Sequence, residues 1–120
     1  SYYMKRVMIE LSSRSVLDNC INLIDIPDNK DNMNLIVLRK ENKLYAWLNA
    51  CPHDGRKLCK DPDLLLNKKK DLFQCMNHQA LFDYRNGLCE DGPCEGEYLI
   101  QYPINEENST IKIFEKNFEK

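Results

Sequence analysis

Only two histidines occur in this 120-residue chain, and each stands within three residues of a cysteine. His53 lies in "CPHDG", from Cys51, as Cys-x-His; His78 lies in "CMNHQALFD", from Cys75, as Cys-x-x-His. Packing could explain one such pair. Two pairs suggest a four-ligand metal site of two thiolates and two imidazoles. That set suits a tetrahedral zinc, or a [2Fe-2S] cluster with both sulfurs on one iron and both histidines on the other. Structural zinc sites usually pair like ligands within a loop, so one zinc stays chemically possible but mixed pairs are not its usual form. Two loops that each reach across both irons make mixed pairs reasonable.

Ligand loops need rigid stems. "NLIVLRKENKLYAWLNACPH" predicts a strand at 35–39, a polar turn at 40–43 and a strand at 44–49 that runs directly into Cys51. "DPDLLLNKKKDLFQCMNHQALFDYRNG" repeats the plan, with short strands at 64–66 and 72–74 around a charged turn and Cys75 at the end of the second. Residues 80–84 continue as a strand, and Arg85-Asn86-Gly87 makes a turn. "KRVMIEL" reads as an edge or terminal strand. Residues 13–33 are ambiguous: Val16, Cys20 and Leu23 fall near helical spacing, while Ile24, Ile26 and "PDNKDN" fit a strand and loop. "EYLIQYPI" and "STIKIFE" are expected to pair across "NEEN". Many short strands without a βαβ rhythm indicate an all-β antiparallel sandwich or barrel.

A length of 120 residues and a 42% hydrophobic content fit one domain, 1–120, with the ligand region at about 50–94. A net charge of -2 argues against a phosphate-binding surface, so no nucleic acid is expected. No apolar stretch approaches the length of a membrane span. "SYYMKRVMIELSS" does not read as a signal peptide, which leads us to expect a cytoplasmic protein whose six cysteines are thiols and ligands rather than a disulfide framework.

Cys51-Pro52-His53, Cys75-Met76-Asn77-His78, the following Leu81-Phe82-Asp83 and Asn86-Gly87, and Gly92-Pro93 before "EYLIQYPI" together resemble the Rieske [2Fe-2S] domain, most nearly its small soluble ferredoxins. The resemblance implies an antiparallel Rieske-like β-sandwich with a cluster-binding subdomain of two hairpin loops. It also implies one [2Fe-2S] cluster, with Cys51 and Cys75 on the inner iron, His53 and His78 on the outer one, and Gly92-Pro93 in a third, shielding loop. Two departures stand out. The 21 residues between His53 and Cys75 point to a small insertion, and Gln79 stands where the family commonly has glycine. Respiratory relatives resemble one another in a loop disulfide, and in a serine and a tyrosine that donate to cluster sulfur; the matching positions here are Arg56, Asn77, Ala80 and Phe82. Without those groups the potential is expected toward the lower end of the roughly -150 to +300 mV Rieske window.

The implied function is one-electron transfer as a monomeric ferredoxin between a flavin-containing reductase and a terminal oxygenase or similar enzyme. A small Rieske-like subunit of an oxidoreductase such as nitrite reductase, and a zinc-stabilised β interaction module, are the alternatives. Both histidines are used by the cluster, leaving none for a mononuclear iron, and no Gly-rich dinucleotide fingerprint is present. The chain therefore reads as a carrier rather than an enzyme. Cys20, Cys59, Cys89 and Cys94 read as packed free thiols, with a Cys89–Cys94 disulfide as the sharper reading. Lys68-Lys69-Lys70 reads as a solvated turn or a docking patch, Asp83 as a turn-ordering carboxylate, and Trp47, Tyr84, Tyr98 and Tyr102 as sheet residues.

Overall fold

The computed structural model describes residues 6–28, 32–53, 55–58, 66–67, 72–74 and 80–116. Among the described residues ten strands run in chain order: β1 Val7–Ser12, β2 Ile21–Asp25, β3 Asn34–Lys40, β4 Lys43–Leu48, β5 Leu66–Asn67, β6 Leu72–Gln74, β7 Leu81–Asp83, β8 Cys89–Asp91, β9 Ile104–Glu107 and β10 Thr110–Phe114. They form three antiparallel sheets, ordered β1-β10-β9, β2-β3-β4 and β5-β6-β7-β8. Among the described residues the only helical element is a 3-10 turn at Ser13–Ser15. None of their helices is long and apolar enough to cross a membrane.

The β2-β3-β4 sheet is the middle layer, and the apolar run "LIVL" explains why. Successive side chains on a strand point to opposite faces. Ile36 and Leu38 therefore enter one core with Trp47, Leu58, Phe73 and Phe82, while Leu35 and Val37 enter another with Ala46, Ile111 and Ile113. A strand covered on both faces shows no polar alternation. β2 follows the same rule, with Ile21 and Leu23 packed toward the first core and Ile24 toward the second. Residues 21–25 are thus a strand, and the near-helical spacing of Val16, Cys20 and Leu23 marks no helical stripe: Cys20 is exposed, and Val16 and Leu23 pack in different cores.

The β3–β4 hairpin matches expectation: Lys40 pairs with Lys43, and Glu41 and Asn42 take φ of 52° and 64° in the two-residue turn. The C-terminal hairpin differs from expectation. β10 pairs with β9, so Glu106 and Glu107 lie in a strand and the turn falls on Asn108 and Ser109, at φ 53° and 65°. Of "EYLIQYPI" only Ile104 joins β9, opposite Ile113; the stretch before it touches the sheets through isolated bridges at Leu88–Tyr98 and Trp47–Gln101. Two consecutive residues that accept positive φ outweighed the longer acidic segment as a turn.

Candidate metal centre

β4 ends at Leu48, and the chain then folds into the first ligand loop. The Cys51 N–H donates to the Arg56 carbonyl at 2.7 Å, and the Gly55 N–H donates to the Cys51 carbonyl at 2.7 Å. Gly55 adopts φ 79°, a left-handed conformation that glycine accepts without a Cβ penalty. These contacts close a short loop with unlike ends. Cys51 is 2% exposed and belongs to the core, whereas His53, two residues on, is exposed.

Asn49 fastens this loop to its stem. It is fully buried; its side-chain amide donates to Asn34 Oδ1 at 2.8 Å, and its Oδ1 accepts the Leu58 N–H at 2.8 Å. Its own N–H donates to the Asn34 carbonyl at 2.9 Å. One amide thereby joins the start of β3, the end of β4 and the far side of the ligand loop, where Leu58 is buried in the core. Sequence reasoning missed the role of Asn49, which it placed only as the last residue of the strand at 44–49. The available signal was its place directly between an apolar strand and a ligand.

The second stem is β6, ending at Gln74, with β7 beginning at Leu81 and pairing Gln74 with Leu81. Cys75 and His78, like Gln79 and Lys68-Lys69-Lys70, lie outside the described residues. Their flanks are fixed: Phe73, Ala80 and Phe82 are all fully buried in the core that contains Cys51. The chain on both sides of the second motif thus converges on the core that holds Cys51.

A third segment closes over this region. A Cβ added at Gly92 would meet Ala80 Cβ at 2.8 Å, so the Gly92-Pro93 turn presses against the residue that follows the second motif. Cys94, next in the chain, is buried in the same core as Cys51. Burial pushes the Cys94 thiol well above its ordinary pKa, with its hydrogen bond to Cys89 and the nearby Cys51 adding to the effect. The turn packs beside Ala80, which follows the second motif, and Cys94 lies in the core that holds Cys51.

Outer contacts hold the frame. Trp47 Nε1 donates to the Tyr84 carbonyl at 2.9 Å and links β4 to the end of β7. Tyr84 meets Tyr45 edge to face, with centroids 5.4 Å apart. Asp83 accepts the Arg85 N–H at 2.8 Å and orders the turn, as its sequence position suggested. Tyr84 and Tyr102 are buried, and Tyr98 is exposed.

The residues present fit a group that needs sulfur inside and imidazole outside. A thiol in the core and a histidine at the surface of one tight loop suit a two-iron cluster, whose two metals take different ligands.

The family model of the Rieske [2Fe-2S] domain matches residues 19–114. No curated protein matches the chain. Among solved structures, the ferredoxin of carbazole 1,9a-dioxygenase from Nocardioides aromaticivorans IC177 is similar, with a TM-score of 0.69 and 19% identity over 93% of this chain and 98% of that one. A structure of the reduced complex between oxygenase and ferredoxin in carbazole 1,9a-dioxygenase matches with a TM-score of 0.65 and 20% identity over 92% of this chain, which spans 27% of the matched chain. The terminal oxygenase of carbazole 1,9a-dioxygenase from Novosphingobium sp. KA1 matches with a TM-score of 0.66 and 17% identity, over 92% of this chain and 30% of that one. At these identities the structural likenesses establish the fold. The family model covers most of the chain, and the chain belongs to the Rieske [2Fe-2S] domain family. Its cofactor is one [2Fe-2S] cluster, and its activity is electron transfer.

Proposed function

We propose that this Rieske protein is a freestanding, monomeric ferredoxin that accepts one electron from a flavin-containing reductase and delivers it to a terminal oxygenase. In this reading Cys51 and Cys75 ligate the inner iron, and His53 and His78 the outer one. The observation that carries it is the polarity of the first loop, with Cys51 in the core and His53 at the surface. A [2Fe-2S] cluster supplies a one-electron couple when bound.

The chain's own residues hold the site and expose one side of it. Asn49 and the Cys51–Arg56 contact set the loop. Phe73, Phe82 and Leu58 exclude water from the sulfur side. His53 leaves an imidazole edge at the surface, where a partner can approach.

The similarity to a whole ferredoxin, spanning 98% of it, supports a carrier over a catalytic unit. The solved oxygenase–ferredoxin complex supports a terminal oxygenase as acceptor. The cytoplasm, where thiols are kept reduced, suits a chain whose described cysteines are free.

The test is iron and acid-labile sulfide analysis of anaerobically purified protein, with electron paramagnetic resonance of the reduced form. Two irons and two sulfides per chain are expected, together with single-electron delivery to a terminal oxygenase in rapid-mixing experiments. Full cluster occupancy after joint replacement of Cys51 and Cys75 by serine would overturn the ligand assignment. Substrate hydroxylation by the isolated chain would overturn the carrier reading.

A further inference from the structure

Cys89 and Cys94 lie outside the four-ligand set, yet the fold packs them sulfur to sulfur. Cys89 opens β8, and Cys94 follows Gly92-Pro93 in the adjoining turn. Each is 1% exposed, and the two Sγ atoms are 2.7 Å apart. The backbone brings them together. Cys89 N–H donates to the Glu97 carbonyl at 2.8 Å, Gly96 N–H to the Cys89 carbonyl at 3.0 Å, and Glu97 N–H to the Cys94 carbonyl at 2.8 Å. Gly92 and Gly96, at φ of 116° and 90°, permit the reversal that returns Cys94 to the side of Cys89. Two thiols held this way need little further approach to reach the roughly 2.03–2.05 Å of a disulfide bond.

We propose that Cys89 and Cys94 are an oxidisable dithiol, a covalent modification site that closes to a disulfide by exchange with a small-molecule disulfide of the glutathione class. One cysteine sulfur attacks the small disulfide, breaking its S–S bond, forming a mixed disulfide and releasing one small thiolate. The second cysteine sulfur then attacks the first, forming the intramolecular bond and releasing the other small thiolate. The two protons of the cysteine thiols pass to the two leaving thiolates. The protein loses two electrons and two protons, and the small disulfide is reduced to two thiols. Because both sulfurs are buried, access requires local opening of the turn, whose Glu90, Asp91, Glu95 and Gly96 are exposed. The bond would brace the turn that presses on Ala80 and sits beside Cys51; that consequence for the cluster rests on the proposed function, while bond formation does not.

The test uses anaerobic holoprotein carrying Cys20→Ser, which removes an exposed thiol. One sample is incubated with oxidised glutathione and one with dithiothreitol. Each is then denatured in N-ethylmaleimide and its intact mass measured. The chain has six cysteines and the variant five, so five alkylated thiols are expected after dithiothreitol and three after glutathione, with peptide mapping placing the bond between Cys89 and Cys94. Adding Cys94→Ser should abolish that bond. Five alkylated thiols in both samples, a bond involving Cys51, or a stable glutathione adduct on Cys94 without a bond would each overturn the proposal. Iron and sulfide content measured on the same holoprotein reads the functional assignment separately.

Discussion

Asn49 and Cys51 divide the work of the first loop at the level of single residues: one fastens the loop, and the other is the buried thiol that serves as a sulfur ligand in the proposed function. Replacing Asn49 by alanine strands the Leu58 N–H and the Asn34 amide oxygen in a buried setting. A buried polar group left without its partner costs about 1–3 kcal/mol, so Asn49→Ala should destabilise the fold by about 2–4 kcal/mol. Urea unfolding of the variant checks this, and its iron content per chain should fall in step because binding and folding are coupled. Ala80 and Phe82 make a different kind of prediction. Both are fully buried beside the second motif, where respiratory relatives place a serine and a tyrosine. Hydroxyl donors to cluster sulfur favour the reduced, more negative state, so Ala80→Ser with Phe82→Tyr should raise the reduction potential. Protein-film voltammetry reads it, and an unchanged or lower value would contradict this account of tuning.

The stems of the ligand loops depend on one close approach between elements. A Cβ at Gly87 would meet the Trp47 ring at 2.7 Å, and Gly87 has φ 78°. Gly87→Ala must therefore move an indole that is anchored by its own hydrogen bond to Tyr84. Overpacking of this kind typically costs about 1–3 kcal/mol, to which the unfavourable φ adds, and thermal denaturation should show a lower midpoint. The Asn86-Gly87 turn was legible because its demands are local: Gly87 takes a positive φ, and Asn86 Oδ1 accepts the Leu88 N–H at 2.9 Å. The Glu41-Asn42 turn was legible as a polar break between strands of clear apolar pattern. β9 was not legible, since Glu106 and Glu107 have low strand propensity and are held by pairing with Ile111 and Thr110. Membership of the Rieske family was legible from the side-chain chemistry and spacing of the two Cys/His motifs. Asn49 and the Cys89–Cys94 contact were not, because each depends on where distant segments cross.

At the scale of the whole molecule, the three sheets must keep their order for Cys51 and the flanks of the second motif to meet in one core. Arg39 on β3 joins the middle sheet to the outer one: Nη1 and Nη2 donate to the two carboxylate oxygens of Glu106 on β9 at 2.9 and 2.6 Å, and Nε donates to the Val16 carbonyl at 3.0 Å. The guanidinium holds the Glu106 carboxyl down at about 2, below its usual 4.5. A carboxyl with a lowered folded-state pKa contributes stability that is fully present above its unfolded value and is lost as pH falls through the folded one. The pair remains partly open to solvent, at 18% and 32% side-chain exposure, so its contribution is held to about 1 kcal/mol despite the paired geometry. Glu106→Gln should therefore be less stable than the parent protein by about this amount at neutral pH, with the gap constant down to about pH 5 and narrowing from there toward pH 2. Urea unfolding of both holoproteins across that range, with the visible absorbance of the cluster followed so that acid loss of metal is seen in each, measures the gap directly. A gap that persists unchanged at pH 3 and below would show that Glu106 acts through packing rather than through its charge on Arg39.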